Sequence, residues 1–308
     1  MKLNNSPITQ HQFNGRTFFL KRDDQLHSHF CGNKARKFMQ LLEEEHPNIT
    51  TLICYGSAQA NSLLSLAALA KIKGWNLEFY VDHLPQWLID KPIGNYRGAL
   101  DLGAKVVSMQ VAASDLHPRD YIEQVRQPGP ECIVLPEGGR SKMSEYGVKQ
   151  LAMEILSWTR FEPKYDFVIA LPGGTGSTAL YLHKHLKVHN IPVITCACVG
   201  GSDYLTKQFE ELGESDHPQI LPLETKHHFG KLYQRDYQMW LDLLEETDVE
   251  FDLLYDPLMW QCLEQWQQDN PDKTLIYIHQ GGLLGNESML PRYQRKYPEM
   301  TANQTLDW

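Results

Sequence analysis

The sequence predicts an α/β protein of two lobes, each an open, mostly parallel sheet flanked by helices, and three observations carry that prediction. Short apolar runs are repeatedly followed by stretches with apolar residues at three- and four-residue spacing, the pattern of a strand leading into a helix. The strand candidates form one group before about residue 157 and another after it. A chain of 308 residues is long enough for one large domain or two lobes around a shared cleft, and short for several independent modules.

The first unit is a strand at Thr51–Cys54 and a helix at Asn61–Lys73, whose residues Leu63, Leu66, Ala67 and Ala70 share one face. Strands follow at Leu77–Val81 and Lys105–Val107, then Cys132–Leu135 with a helix at Glu145–Trp158. The second group contains Phe167–Leu171 with a helix at Ser177–His189, then Val193–Val199 and Leu275–His279. Such alternation builds βαβ units and a parallel sheet covered by helices. Arg160–Lys164, with Pro163, is the expected crossover between lobes, and a second connection is expected near Glu43–Asn48. Gly213–Pro222 and Asp269–Lys273 concentrate Gly, Pro, Asp and Asn and are expected to be surface loops.

Net charge is -9 and no long Lys/Arg run occurs, which argues against a nucleic-acid surface and for a small-molecule partner. The segment MKLNNSPITQ has no apolar core of signal-peptide kind, and nowhere do ~18 apolar residues run together, so no membrane association is expected and the location is expected to be cytoplasmic. Six cysteines lie scattered without paired spacing and are expected to be reduced. His183, His185, His227 and His228 have no neighbouring Cys or carboxylate in ligand spacing, so no metal is expected.

Three segments could carry chemistry. Gly173-Gly174-Thr175-Gly176-Ser177-Thr178 lies between a strand and a helix pattern, where glycines let the backbone approach an anion and hydroxyls and free N–H groups can donate to phosphate. It lacks the ending of a Walker loop, meets only a relaxed dinucleotide fingerprint, and could be a tight turn without a ligand. Gly32-Asn33-Lys34-Ala35-Arg36-Lys37 could be a solvated helix start, or could present Lys34 as an amine nucleophile with Arg36 and Lys37 as cationic neighbours that lower its pKa. Gly56–Ser62 also falls where a strand gives way to a helix, and its polar groups could be simple caps. Loops at the carboxyl ends of strands are where open α/β sheets bind ligands, so the three could converge.

Taken together, these segments resemble the 1-aminocyclopropane-1-carboxylate deaminase and D-cysteine desulfhydrase family, whose fold is that of the tryptophan synthase β subunit, fold type II of the pyridoxal phosphate enzymes. Gly32–Lys37 is similar to the family's Gly-Asn-Lys-x-Arg-Lys, Gln59-Ala60-Asn61 to its Gln-Ser-Asn, and further matches follow in order. These are Gly94-Asn95, Gly103–Val106, Pro136–Gly139, the glycine-rich loop, Asp256-Pro257 and Tyr277–Gly282.

The resemblance implies pyridoxal 5'-phosphate as cofactor. It implies that Lys34 binds the cofactor covalently, Lys37 and Gly173, Gly174, Thr175, Gly176, Ser177 and Thr178 hold its phosphate, Asn61 approaches its ring oxygen, and Gln280 faces its pyridine nitrogen. It places residues 1–44 and 158–308 in a larger cofactor-binding domain and 45–157 in a smaller one that closes over it. Gln59, Ala60, Phe229, Met259 and Tyr277 are the expected substrate pocket, with Tyr277 either an acid or a packed strand residue.

Several positions depart from the family pattern. The family's serine is Ala60, Asp-Pro-Val-Tyr becomes Asp256-Pro257-Leu258-Met259 followed by Trp260, and Tyr-Gly becomes Phe229-Gly230. A lyase or deaminase of a small amino acid is the leading expectation. An amino-acid racemase or another eliminase on the same fold is the second, and a cofactor-binding protein with little catalysis the third. The amino acid, its enantiomer and the oligomeric state, including a homodimer, are left open.

Overall fold

The computed structural model describes residues 3–112 and 114–300. The ends of the expected larger domain, 1–2 and 301–308, lie outside the described residues. Among the described residues ten strands form two sheets: β1 (Ile8–Phe13), β2 (Arg16–Lys21), β3 (Thr51–Tyr55), β4 (Asn76–Val81), β5 (Lys105–Ser108), β6 (Cys132–Val134), β7 (Asp166–Gly173), β8 (Val193–Ala197), β9 (Gln219–Leu221) and β10 (Lys273–Ile278). The larger sheet has the order β1-β2-β10-β7-β8-β9, the smaller β5-β4-β3-β6. All neighbours are parallel except the β1–β2 pair. The predicted two-lobed, mostly parallel α/β architecture is the observed one.

Alternation along the central strands explains why both faces of the larger sheet are covered. Val168 and Ala170 of β7, with Leu275 and Tyr277 of β10, enter one core with the helices Gln234–Thr247, Asp256–Asp269 and Asn286–Lys296. Ile169 and Leu171, with Ile276 and Ile278, enter the other with Ser144–Thr159 and Ser177–Leu186. Successive side chains point to opposite faces, so a strand covered on both sides reads as one unbroken apolar run. In the smaller lobe Leu52 and Cys54 of β3 pack with the helix Asn61–Lys73, while Ile53 faces Tyr80 and Ile122 across the sheet.

The structure differs from the expected elements in three places. The β1–β2 hairpin was not expected, although Asn14 and Gly15 at its turn have φ of 50° and 70°, the pair of positive angles a two-residue hairpin needs. β9 lies inside the expected loop Gly213–Pro222, where three residues suffice to extend β8. The helix Ser144–Thr159, expected mostly within the smaller domain, buries Val148, Leu151, Ala152 and Ile155 in a core of the larger sheet. Among the described residues no helix is long and apolar enough to cross a membrane.

Candidate active site

The loops after β3, β7 and β10 meet at the short helix Gly32–Lys37. Gly32 makes that meeting possible. Its φ is +61°, and a Cβ there would overlap the carbonyl oxygen of Gln280. With no side chain in the way, the Asn33 N–H donates to the Gln280 carbonyl at 3.1 Å and the Asn33 side-chain amide donates to Gln280 Oε1 at 3.0 Å. The helix start is thereby fixed to the end of β10, and Lys34 follows at once.

Lys34 is half-buried and lines a cavity of about 90 Å³ together with Asn61, Asn95, Gln280 and Gly282. Enclosure by protein lowers its pKa to about 8, against the opposing pull of Asp252 and then Cys54. The expected cause, two cationic neighbours, needs correction. Arg36 points away from Lys34 into a buried cluster, with Nε 2.9 Å from Asp23 and Nη1 2.8 Å from Glu154. Two residues along a helix face different sides, so Arg36 serves the packing of the larger lobe.

Lys37, one turn on, is buried, and its Nζ donates to Thr175 Oγ1 at 3.1 Å and the Gly138 carbonyl at 3.3 Å. Burial, reinforced by Lys34, holds its pKa well below the lysine range. A buried lysine with only neutral partners calls for an anion. The Gly173–Thr178 loop opposite it supplies the matching donors: the hydroxyls of Ser177 and Thr178 are buried without a hydrogen-bond partner among the described residues, at the start of the helix Ser177–Leu186. Orphaned hydroxyls, helix N-terminal N–H groups and a buried lysine form a cradle suited to a phosphate.

Asn61 and Gln280 are both held by second partners. Asn95 donates to Asn61 Oδ1 at 2.7 Å and to the Gln59 carbonyl at 2.9 Å, and Asn61 Nδ2 donates to Asp252 Oδ2 at 3.0 Å. Gln280 Nε2 donates to the Pro172 carbonyl at 2.8 Å. With its oxygen taken by Asn33, this amide has only one N–H left for a ligand. Gln59 anchors through Nε2 to the Ile93 carbonyl at 3.0 Å, and Ala60 sits at the N-cap of the helix Asn61–Lys73 with no side-chain cap. A larger hollow of about 460 Å³ opens beside them, lined among others by Ser57, Gln59, Trp87 and Glu137.

The expected substrate pocket is only partly assembled. Met259 and Tyr277 are buried in the core of the larger sheet, away from the Lys34 cavity. Tyr277 stacks on Trp260 at 4.9 Å, and its hydroxyl donates to Asp256 Oδ1 at 2.6 Å. The physical reason is alternation: Tyr277 points from β10 to the same face as Leu275, and Met259 lies on the side of its helix turned to that face. Phe229 is exposed and packs on Tyr255, with ring centroids 5.1 Å apart.

Two acidic or hydroxyl groups near the site were missed. Tyr255 is half-buried against Gly174, and no hydrogen bond engages its hydroxyl among the described residues. Asp252 is buried beside Asn61. Both lie just ahead of Asp256-Pro257, so the motif signalled their neighbourhood but not their direction. Among the described residues no group of three or more His, Cys, Asp or Glu side chains could hold a metal.

This is the fold of a vitamin B6 enzyme, and sequence comparison agrees. Residues 2–250 match the pyridoxal-phosphate dependent enzyme family, and the chain belongs to it. A Thermotoga maritima protein provisionally named a 1-aminocyclopropane-1-carboxylate deaminase is 23% identical over 88% of this chain and 90% of its own. The bifunctional D-cysteine desulfhydrase/1-aminocyclopropane-1-carboxylate deaminase of Arabidopsis thaliana mitochondria is 22% identical over 88% of this chain and 74% of its own. Among solved structures, a homologue of 1-aminocyclopropane-1-carboxylate deaminase superposes with a TM-score of 0.76 at 21% identity, covering 96% of this chain and 95% of its own. Pyridoxal 5'-phosphate is the cofactor of this family, and the cradle of Lys37, Ser177 and Thr178 fits its phosphate.

Proposed function

We propose that this chain is a pyridoxal phosphate-dependent lyase or deaminase acting on a small amino acid that carries an α-hydrogen. The observation that carries the proposal is Lys34: an enclosed amine with its pKa lowered to about 8, one helical turn from the lysine of the phosphate cradle. When bound, the cofactor withdraws electrons from the α-carbon of an amino acid joined to it. Lys34 is the anchoring residue. With the cofactor bound, the Lys34 nitrogen would remove and return the α-proton of the substrate, and a pKa of about 8 lets one group do both. Lys37 and Gly173–Thr178 hold the phosphate, Asn61 orients the ring oxygen, and Gln280 offers its remaining N–H to the pyridine nitrogen. The smaller lobe closes over the site and excludes water. Six free cysteines support a reducing, cytoplasmic setting.

Ala60 favours a substrate with an α-hydrogen over the cyclopropane amino acid. That ring has a quaternary α-carbon, so opening it needs a nucleophile or proton relay at a ring carbon, and alanine provides neither. One placed acid–base group contributes ~10²–10⁴-fold. Holoenzyme is to be offered a panel of D- and L-amino acids in deuterated water, with α-proton exchange and 2-oxo acid release followed. Exchange with at least one small amino acid, alongside ring opening near background, is expected. Efficient ring opening, or no exchange with any amino acid, refutes the proposal.

A further inference from the structure

The helix Gly94–Asp101 of the smaller lobe carries a fully buried polar side chain, Asn95, which lines the same cavity as Lys34 and Asn61. Both of its side-chain N–H groups are engaged: one donates to the Gln59 carbonyl at 2.9 Å, the other to Asn61 Oδ1 at 2.7 Å. Its own oxygen has no hydrogen-bond partner among the described residues. A buried carbonyl oxygen left unpaired is costly, and an apolar side chain of similar shape avoids that cost. The two donors, and not packing, therefore account for an asparagine at this position.

The two ends of this run of bonds set its polarity. A backbone carbonyl can only accept, so the Asn95 atom facing Gln59 is the nitrogen. The Asn61 atom facing the second N–H is then the oxygen, and the Asn61 nitrogen faces the Asp252 carboxylate, with Oδ2 at 3.0 Å. That carboxylate is held by the N–H groups of Leu254 and Tyr255, 2.8 and 3.2 Å from its Oδ1. Gly282 leaves room for the contact, since a Cβ at its φ of +90° would overlap both Asn61 Nδ2 and Asp252 Oδ2. Asn95 is held in turn from the larger lobe: Glu287 of the helix Asn286–Lys296 accepts from the Gly94 N–H at 3.0 Å and from Arg97 Nη2 at 2.7 Å.

We propose that Asn95 is a positioning residue for Asn61: it pins the amide oxygen, so that Asn61 meets the ring oxygen of the cofactor with an N–H and never with its own oxygen. The proposal rests on the reading of Lys34 and Asn61 as cofactor-binding residues. Asp252 alone holds one end of the Asn61 amide and leaves it free to turn about that bond. Held at both ends, the amide has a fixed plane, and its second N–H has one direction. An Asn61 oxygen turned to the ring oxygen sets two acceptors against each other and forfeits a hydrogen bond.

The test is a double-mutant cycle on holoenzyme, with Asn61→Ala, Asn95→Ala and the pair, read by the absorption maximum of the bound cofactor and by its dissociation constant. Each single change should move the maximum in the same direction and raise the dissociation constant ~10-fold, about the share of one hydrogen bond. The pair should again show ~10-fold and not ~100-fold, because Asn95 acts only through Asn61. Asn95→Leu, similar in shape but without donors, repeats the measurement if the alanine variant does not fold. In the unaltered holoenzyme the side-chain amide protons of Asn95 should exchange slowly, and rapid exchange at both overturns the proposal without any variant. An unmoved maximum in the Asn95 variants where Asn61→Ala moves it, or a ~100-fold effect in the pair, overturns the positioning role. A silent Asn61→Ala, with the pyridoxyl label of borohydride reduction still on Lys34, overturns it too, since Asn61 then does not meet the ring oxygen. A label on another lysine in the unaltered enzyme overturns the assignment of Lys34 itself.

Discussion

Replacing Gly32 with alanine tests whether one backbone contact places the reactive lysine. Three costs follow from the structure. A left-handed φ of +61° costs a residue with a Cβ ~1–2 kcal/mol. The new methyl would lie 1.7 Å from the Gln280 carbonyl oxygen, so the helix start and the end of β10 must move apart by roughly 1.5–2 Å to restore contact distance. That movement strains the two hydrogen bonds from Asn33 to Gln280, at 3.1 and 3.0 Å, each worth ~1 kcal/mol. Together the penalty is ~3–4 kcal/mol, a large share of the ~5–15 kcal/mol that holds a domain folded. Urea unfolding of Gly32→Ala should show a lower midpoint with an unchanged slope. Holoenzyme that survives should lose α-proton exchange by more than ~10²-fold, the usual cost of displacing a reacting group by about 1 Å. A variant with the original midpoint and full exchange refutes the inference that this contact positions Lys34.

Two further perturbations separate site chemistry from scaffold. Tyr255→Phe keeps the ring packed against Phe229 and Gly174 but removes the unengaged hydroxyl. Turnover at saturating cofactor should fall ~10²-fold if that hydroxyl moves a proton, while a fall in cofactor affinity alone would mean that it only contacts the phosphate. Glu154→Gln leaves buried Arg36 with Asp23 as its only carboxylate partner among the described residues and should cost ~3–5 kcal/mol at neutral pH. Burial raises the pKa of Glu154, but the bonds and charges of Arg36 and Lys21 more than offset this and leave it lowered. Its contribution is therefore fully present above the unfolded-state value of 4.5 and is lost as pH falls through the folded-state value, so denaturant midpoints of the variant and the unaltered protein should converge in acid.

Residue order alone dictates the local grammar, and the resemblance of a few short segments to a known family implies the cofactor frame. Apolar runs at β3, β7, β8 and β10 with helical periods behind β3 and β7 specify parallel sheets, because a strand covered on both faces must be apolar throughout. Gly32-Asn33-Lys34 and Gly173–Thr178 were legible because their chemistry depends on backbone freedom and residue type within a few consecutive positions. Direction was not legible beyond such segments. Met259 and Tyr277 have the right neighbours in sequence but turn into the core, and Arg36 turns away from the lysine it was expected to tune. Asp252 reaches Asn61 across 191 positions of chain. Long-range packing selects which face of an element meets a cleft and which distant carboxylate lies behind an amide, because those contacts depend on how the lobes dock and not on the spacing of residues along either one.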